Sequence, residues 1–339
     1  MSTIPSYTRH TEWWEHKITL FLFTGLLAIS YAAPANLWWP LLHLGIALLS
    51  IVVCAVFVSV INDYTDMEDD RIAGKTNRLT HLSIGKIRLL IFLLLATGAA
   101  FCWHFRNQPI TIFFYSGSWI AYSAYSFPPI RLKKRGWSGV LADAAGAHLF
   151  PTLTILSAMS HSLLKPFPAE LYVTAAGWNI LFGLRGILWH QYTDRQNDLT
   201  SGLITVATMV PSTLIIRIEL PILILEITAL AGMLWVSALQ NLLYLIPLYL
   251  AYVWLIRKRM QLHPVIILTP EKKEWIFLFS SFYQSVLPIS LMILMSIQLP
   301  WTLLLIPFHI LLFSNDIRTN ISIIEDVVRN LVKKTTEAQ

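Results

Sequence analysis

Asn62-Asp63-Tyr64-Thr65-Asp66-Met67-Glu68-Asp69-Asp70-Arg71-Ile72-Ala73-Gly74-Lys75-Thr76-Asn77-Arg78 follows directly on a long apolar run, residues 41–61. Asn62, Asp66 and Asp70 recur at every fourth residue, so on a helix they share one face. Asp63 and Asp69 flank that face, Glu68 lies off it, and Gly74 follows at the same interval. Charged groups at the end of a membrane-length segment normally face a cavity and carry function. Oxygen ligands stacked on one face suit Mg²⁺, which keeps several waters and takes one or two carboxylates with substrate phosphate oxygens. Lys75 and Arg78 can bind phosphate oxygens that are not on metal. A solvated charged loop is the plain alternative, and the four-residue register argues against it.

The spacing returns as Trp189-His190-Gln191-Tyr192-Thr193-Asp194-Arg195-Gln196-Asn197-Asp198-Leu199-Thr200-Ser201-Gly202, again after a long apolar segment. Asp194, Asp198 and Gly202 repeat the pattern, and His190 stands where Asn62 stood. Arg195 lies off the shared face, as a phosphate ligand or a lipid anchor. His190 lies on it, one turn deeper, as a catalytic candidate or a residue hydrogen-bonded to a neighbouring helix. A third segment is Tyr122-Ser123-Ala124-Tyr125-Ser126-Phe127-Pro128-Pro129-Ile130-Arg131-Leu132-Lys133-Lys134-Arg135-Gly136. Its proline pair ends a helix. A positive-inside stop explains its charge but leaves the Tyr and Pro-Pro context unexplained. A basic group on the same membrane side as two aspartate runs completes a site for a diphosphate.

The chain of 339 residues is 55% apolar and 13% charged, about half the charge fraction of soluble domains. Membrane-length apolar stretches at 18–34, 41–61, 87–104, 110–128, 139–160, 171–189, 218–237, 239–256, 275–296 and 299–314 predict nine or ten transmembrane helices. The fold class is an all-α polytopic bundle, one domain over 1–339. With the N-terminus inside, all but two of the 25 Lys and Arg residues, Arg106 and Lys165, fall on the inner side, Arg185, Lys272, Lys273, Lys333 and Lys334 among the rest. The positive-inside rule then places both termini and all three segments on the cytoplasmic side. The net charge of +6 answers to this orientation and to anionic lipid headgroups and requires no nucleic acid. Cys54 and Cys102 read as packing residues. No cleavable signal peptide is evident. Trp13 and Trp14 suggest an interfacial N-terminal segment, and residues 318–339 a polar or amphipathic tail.

Together these segments resemble the signatures of the UbiA superfamily of intramembrane prenyltransferases. Asn62-x-x-x-Asp66-x-x-x-Asp70, continuing as Gly74-Lys75-Thr76-Asn77-Arg78, is similar to the first. Tyr125-Ser126-Phe127-Pro128-Pro129-Ile130-Arg131-Leu132-Lys133 is similar to the Tyr-Ser-x-Pro-Pro-x-Arg-Leu-Lys segment, and Asp194-x-x-x-Asp198-x-x-x-Gly202 to the second signature. The likeness covers roughly residues 17–210, in family order. It implies helices around a central cavity and Mg²⁺-dependent chemistry on an isoprenyl diphosphate. Asn62, Asp66 and Asp70 would then hold one metal and Asp194 and Asp198 another. Arg131, Lys133, Lys75 and Arg78 would hold the diphosphate. Many aromatic-acid members carry a Tyr four residues before the first aspartate of the second signature and an Asp three before that. His190 and Ile187 stand there instead, which points away from a hydroxybenzoate-type acceptor.

The chemistry so implied is ionisation of the allylic C–O bond with the pyrophosphate neutralised by metal and basic groups. The cation then needs a dry pocket and aromatic faces. Trp119, Tyr122, Tyr125, Trp178, Phe182 and Trp189 are candidates, though each singly reads as a lipid-facing or belt residue. A transferase would capture the cation with an aromatic, quinone-precursor or lipid acceptor, and a terpene cyclase with the substrate's own double bond. An ion carrier also uses intramembrane carboxylates, but has no need of the Pro-Pro-x-Arg-Leu-Lys segment.

Overall fold

The computed structural model describes residues 6–72, 74–270 and 274–336, with side chains as far as residue 329. Lys272, Lys273 and the side chains of Lys333 and Lys334 therefore lie outside the described residues. The helices are α1 Thr19–Ala32, α2 Trp38–Ile72, α3 Ile84–His104, α4 Pro109–Ser126, α5 Trp137–Ser162, α6 Ala169–Thr193, α7 Arg195–Thr200, α8 Ser212–Val236, α9 Leu245–Met260, α10 Phe282–Gln298, α11 Pro300–Leu312 and α12 Ser314–Thr336. Each of the ten apolar ranges holds a helix.

By length and hydropathy alone, four described helices are long and apolar enough to cross a membrane: α2, α3, α5 and α6. The bent pair α11 and α12 makes a fifth if it is one span. Of the others, α1, α7, α9, α10 and α11 are too short, and longer ones carry polar groups. α4 carries Tyr and Ser throughout, and α8 carries Arg217, Glu219 and Glu226. Such composition belongs to helices that turn a polar face to other helices or to a site. α3 shows the opposite character and leaves Leu89, Phe92, Leu93 and Leu95 exposed.

Helix contacts run through small residues, as packing without a hydrophobic drive between helices requires. α6 lies along α8 with Gly177 against Ala229 and Gly232 against Thr174. A Cβ at Gly232 would come within 2.9 Å of Thr174 Cγ2. The range 275–296 departs from expectation at its start. Trp275–Phe277 is a short strand, β2, paired in parallel with β1, His263–Val265. Pro264 cannot extend the preceding helix, and Trp, Ile and Phe favour extended backbone.

These strands meet a buried ion pair. Arg185, one of the charges that the sequence assigns to the inner side, is fully buried in the bundle against Glu226 of α8. Its Nε and Nη2 donate to the two Glu226 oxygens at 2.6 and 2.8 Å. Its Nη1 and Nη2 also donate to the carbonyls of Ile266 and Leu278, each at 3.1 Å. Tyr283 of α10 donates to Glu226 at 2.7 Å. One guanidinium thus ties together α6, α8, the strand pair and α10.

The two ends of the chain also meet. Glu15 accepts from the backbone N–H groups of Asn315 and Asp316, each at 2.9 Å, and so caps the start of α12. Trp14 donates to the Leu312 carbonyl at 2.7 Å and stacks on Phe313. α12 turns away from α11 by 86° at this joint. The expected polar tail is therefore a helix over its described part, with exposed Ile321, Ile324 and Val328 beside Arg318 and Glu325.

Glu226→Gln leaves a buried guanidinium without its counter-charge, so thermal unfolding in detergent should report a loss of about 3–5 kcal/mol. The paired change Arg185→Met with Glu226→Met should cost less than either single change. A single variant as stable as the wild type would contradict the role given to this pair.

Candidate functional site

α2 runs without a break through the first aspartate segment and ends at Ile72. Asn62, Asp66 and Asp70 therefore do lie on one helical face. Gly74 then takes φ +66°, and the Lys75 N–H donates back to the Asp70 carbonyl at 2.9 Å. The second segment repeats this ending. α6 bends at Asp194 into α7, while the Asp194 and Asp198 N–H groups still donate to the His190 and Asp194 carbonyls at 3.0 Å. Gly202 takes φ +65°, and Leu203 N–H donates to the Asp198 carbonyl at 2.9 Å. A glycine four residues after each second aspartate is thus the left-handed cap that closes the helix.

The third segment folds onto the first. Ser126, the last residue of α4, donates to Asn62 Oδ1. The chain passes the cis Pro128-Pro129 bond and places Arg131 at φ +40°. A left-handed non-glycine residue costs roughly 1 kcal/mol, and the Arg131 side chain shows what offsets it. Nη2 donates to the Thr65 carbonyl at 2.8 Å, to Asp66 at 3.0 Å and to Asp69 at 2.9 Å. Lys133 donates to Asp66 at 2.6 Å, and Lys134 pairs with Asp69 at 2.6 Å. Arg131 Nε is buried without an acceptor, an open donor of the kind that bound anions satisfy. Burial among these groups pushes the Lys133 ammonium below its usual range, against the pull of Asp66.

Asn77 locks the intervening loop. Its Nδ2 donates to the Asp63 carbonyl at 2.7 Å and to Asp70 at 2.8 Å, and its Oδ1 accepts from Leu79 N–H at 3.0 Å. Arg78 turns to the N-terminal segment, pairing with Glu12 at 2.6 Å and lying 3.8 Å from Asp63. Lys75 remains exposed and within electrostatic reach of Asp198, which links the two aspartate segments. Asp198 accepts from Thr205 at 3.1 Å, and burial raises its carboxyl above the usual range. The Asp194 carboxylate is exposed and takes no hydrogen bond or ion pair among the described residues. Glu68 sits off the face, bound to Arg71.

No group of three or more His, Cys, Asp or Glu among the described residues stands close enough to hold a metal ion. Two carboxylates per segment, with an amide oxygen in the first, is nevertheless the set that suits Mg²⁺ completing its shell from substrate and water. The residues fit such an ion.

Beside candidates that the sequence names lie three groups that no sequence motif marks, Lys17, Asp143 and His148. Tyr122 donates to Asp143 of α5 at 3.4 Å. Lys17 stands within electrostatic reach of Asp143, His148 and His190. His190 is exposed although protein surrounds much of it, and its ring lies 4.4 Å from that of Trp189. Tyr125 is half-buried, within reach of Asp66, Asp143 and Asp198. Trp178 is fully buried between Phe23 and Tyr283, so it is a core residue and not a pocket wall. Asp143 left only a weak sequence signal, a carboxylate inside an apolar range.

An all-helical membrane protein with acidic and basic signature segments joined at the ends of its helices defines a class of intramembrane enzyme. The profile of the UbiA prenyltransferase family matches residues 21–282, and the chain belongs to that family. Among solved structures, the fold is similar to a UbiA homolog from Archaeoglobus fulgidus. With that protein bound to DMAPP and Mg²⁺ the TM-score is 0.54 at 15% identity, over 88% of this chain and 96% of the other. With it bound to GPP and Mg²⁺ the TM-score is 0.53 at 16% identity, over the same shares. No curated protein matches the chain by sequence.

Asn77→Ala removes three bonds that hold the loop after α2, one to a carboxylate. At about 1–3 kcal/mol for such a loss, local opening should rise about tenfold or more. Limited trypsin digestion in detergent should then cut faster at Lys75 and Arg78. Unchanged cleavage would show that the loop is held by other contacts.

Proposed function

We propose that this protein ionises an isoprenyl diphosphate within the membrane, with Mg²⁺, and transfers the isoprenyl group to an acceptor. The observation that carries the reading is the meeting of Asp66 with Arg131 and Lys133, from segments more than sixty residues apart. Acid and base so placed compensate each other before substrate arrives. A diphosphate with its metal can then take over both partners, the oxygens of the diphosphate meeting Arg131 and Lys133 and the metal meeting Asp66. The Archaeoglobus fulgidus homolog bound to DMAPP or GPP with Mg²⁺ supports this direction.

In this reading Asn62, Asp66 and Asp70 hold one ion and Asp194 and Asp198 a second. The ions supply Lewis acidity towards the departing pyrophosphate. Arg131 Nε and Lys133 bind its remaining oxygens, and Lys75 bridges towards the second segment. Arg78 braces the mouth through Glu12. Tyr125 presents an aromatic face to the developing cation. His190, one turn below Asp194, positions the acceptor or takes the final proton. In a terpene cyclase the same machinery would ionise the substrate and a double bond of its own chain would capture the cation. The Lys17 and Asp143 groups beneath the aspartates favour a polar acceptor over that alternative. With both termini cytoplasmic, the diphosphate enters from that side and the isoprenyl chain lies among apolar helices.

The test is incubation of the purified protein with geranyl, farnesyl or geranylgeranyl diphosphate and Mg²⁺, with and without acceptors, and product analysis. Products that need an added acceptor support transfer, whereas a cyclic hydrocarbon formed without one overturns it in favour of cyclisation.

Asp66→Ala and Asp194→Ala should each lower pyrophosphate release by about a hundredfold or more, and Glu68→Ala only slightly. Near-normal release in both aspartate variants would sink the assignment. Arg131→Gln and Lys133→Gln should weaken diphosphate binding by about tenfold and leave the order of chain-length preference as it is. His190→Phe should alter products or slow turnover with thermal stability kept. Lower stability with unchanged activity per folded molecule would mark His190 as a packing residue.

A further inference from the structure

At about 3.6 residues per turn, α12 presents three different faces. Asp316, Asn320, Ile323 and Val327 share the first, which is turned to the protein. Asp316 accepts from Ser281 at 2.6 Å and from Ser285 at 2.5 Å, Asn320 accepts from Tyr252 of α9 at 2.9 Å, and Val327 is buried. Ile317, Ile321, Ile324 and Val328 share the second face, about a quarter turn round the helix. Ile317 is half-buried beside the joint, but Ile321, Ile324 and Val328 are 51%, 49% and 51% exposed. The third face carries Arg318, Ser322, Glu325 and Arg329, all exposed.

The joint with α11 fixes the level of this helix. Glu15, just before α1, caps its first turn. Ser281, which binds Asp316, stands immediately before α10, and His309 Nε2 of α11 lies 3.1 Å from the Gln284 carbonyl in the first turn of α10. α12 therefore starts level with the starts of α1 and α10. That is the aspartate end of the bundle, because Arg9 of the same N-terminal segment lies 3.6 Å from Asp63. Beside it α9 ends at Met260 with Arg257, Lys258 and Arg259 exposed. The Lys258 ammonium sits 4.9 Å over the ring of exposed Trp254. A Trp followed by Lys and Arg at the end of an apolar helix marks the boundary between membrane and water.

One orientation satisfies all of these constraints. α11 is apolar on its outside, with Leu304, Phe308, Leu311 and Leu312 exposed, and α12 leaves it at 86°. If α11 runs into the bilayer, α12 runs along the bilayer surface. It cannot continue into the hydrocarbon, because Arg318, Glu325 and Arg329 would lose their hydration there. Its apolar face continues the apolar outside of α11 and gains by leaving water. A helix lying in the interface beside a bundle has protein at its side, acyl chains below and water above. The three faces of α12 follow that order.

We propose that α12 lies in the plane of the bilayer on the aspartate side, with Ile321, Ile324 and Val328 sunk among the lipid acyl chains. Arg318 and Arg329 then stand at the headgroup phosphates, in line with Lys258.

The test uses the full-length protein in nanodiscs of phosphatidylcholine and phosphatidylglycerol. Cysteine substitutions at Arg318, Ile321, Ile324, Glu325, Val328 and Arg329, one at a time in a chain with Cys54→Ala and Cys102→Ala, carry a nitroxide spin label. Collisions of the label with oxygen, which gathers in lipid, and with a water-soluble nickel chelate report its depth. Labels at 321, 324 and 328 should lie about 5–10 Å below the phosphates, and labels at 318, 325 and 329 should remain in water. A second measurement needs no substitution. A lipid-soluble diazirine photolysed in the same nanodiscs should mark Ile321, Ile324 and Val328 of the unsubstituted chain, together with Phe308 and Leu311.

Nickel access at all six positions overturns the proposal and places α12 in water. Shielding of 321, 324 and 328 from both reagents also overturns it, because a second copy of the chain or another protein then covers the face. Absence of diazirine from α12 overturns it whatever the labelled variants do.

Discussion

A carboxylate on a membrane helix must find cations, and the contact of Asp66 with Arg131 and Lys133 is where this chain meets that demand. Desolvating either sign alone costs several kcal/mol. Brought together at 2.6 to 3.0 Å, the two signs hold the end of α2 against the loop between α4 and α5. The left-handed backbone of Arg131, the Asn62 bond to Ser126 and the Asp69 pair with Lys134 follow from the same docking.

An ion pair buried inside the helical bundle shows what a purely structural one looks like. Arg185 and Glu226 are fully buried and joined by two bonds, with two carbonyls and a tyrosine hydroxyl around them. Its charges have abundant partners and no access. At the mouth the pattern is reversed among the described residues: Arg131 Nε lacks an acceptor, the Asp194 carboxylate has no partner, and Lys75 is exposed. Polar groups left unsatisfied at the edge of a rigid bundle are where a ligand completes the structure. Scaffold and site use the same residue types and differ in how completely they are satisfied.

What the sequence shows is what depends on neighbours within a few residues. The shared face of Asn62, Asp66 and Asp70 follows from helical period, and Gly74 and Gly202 end their helices as left-handed caps. The apolar ranges mark the helices because a membrane demands length and hydropathy. What stays hidden depends on which helix packs where. Arg185 reads as an inner-side charge until α8 supplies Glu226. Trp178 reads as a pocket aromatic or a lipid-facing residue until Phe23 and Tyr283 enclose it. Arg78 reads as a phosphate ligand, and its pairing with Glu12 of the N-terminal segment has no trace in the sequence. Lys17 and Asp143 are far apart in sequence, and no periodicity relates them.

The central claim is that both aspartate segments act on one diphosphate. Replacing Mg²⁺ with Mn²⁺ makes this visible by electron–nuclear double resonance on the protein bound to geranyl thiolodiphosphate. Phosphorus couplings should appear at Mn²⁺ in the wild type, and Asp66→Asn and Asp194→Asn should each remove part of the Mn²⁺ population that shows them. Phosphorus couplings that survive unchanged in either variant would mean that the segment it belongs to holds no metal at the diphosphate.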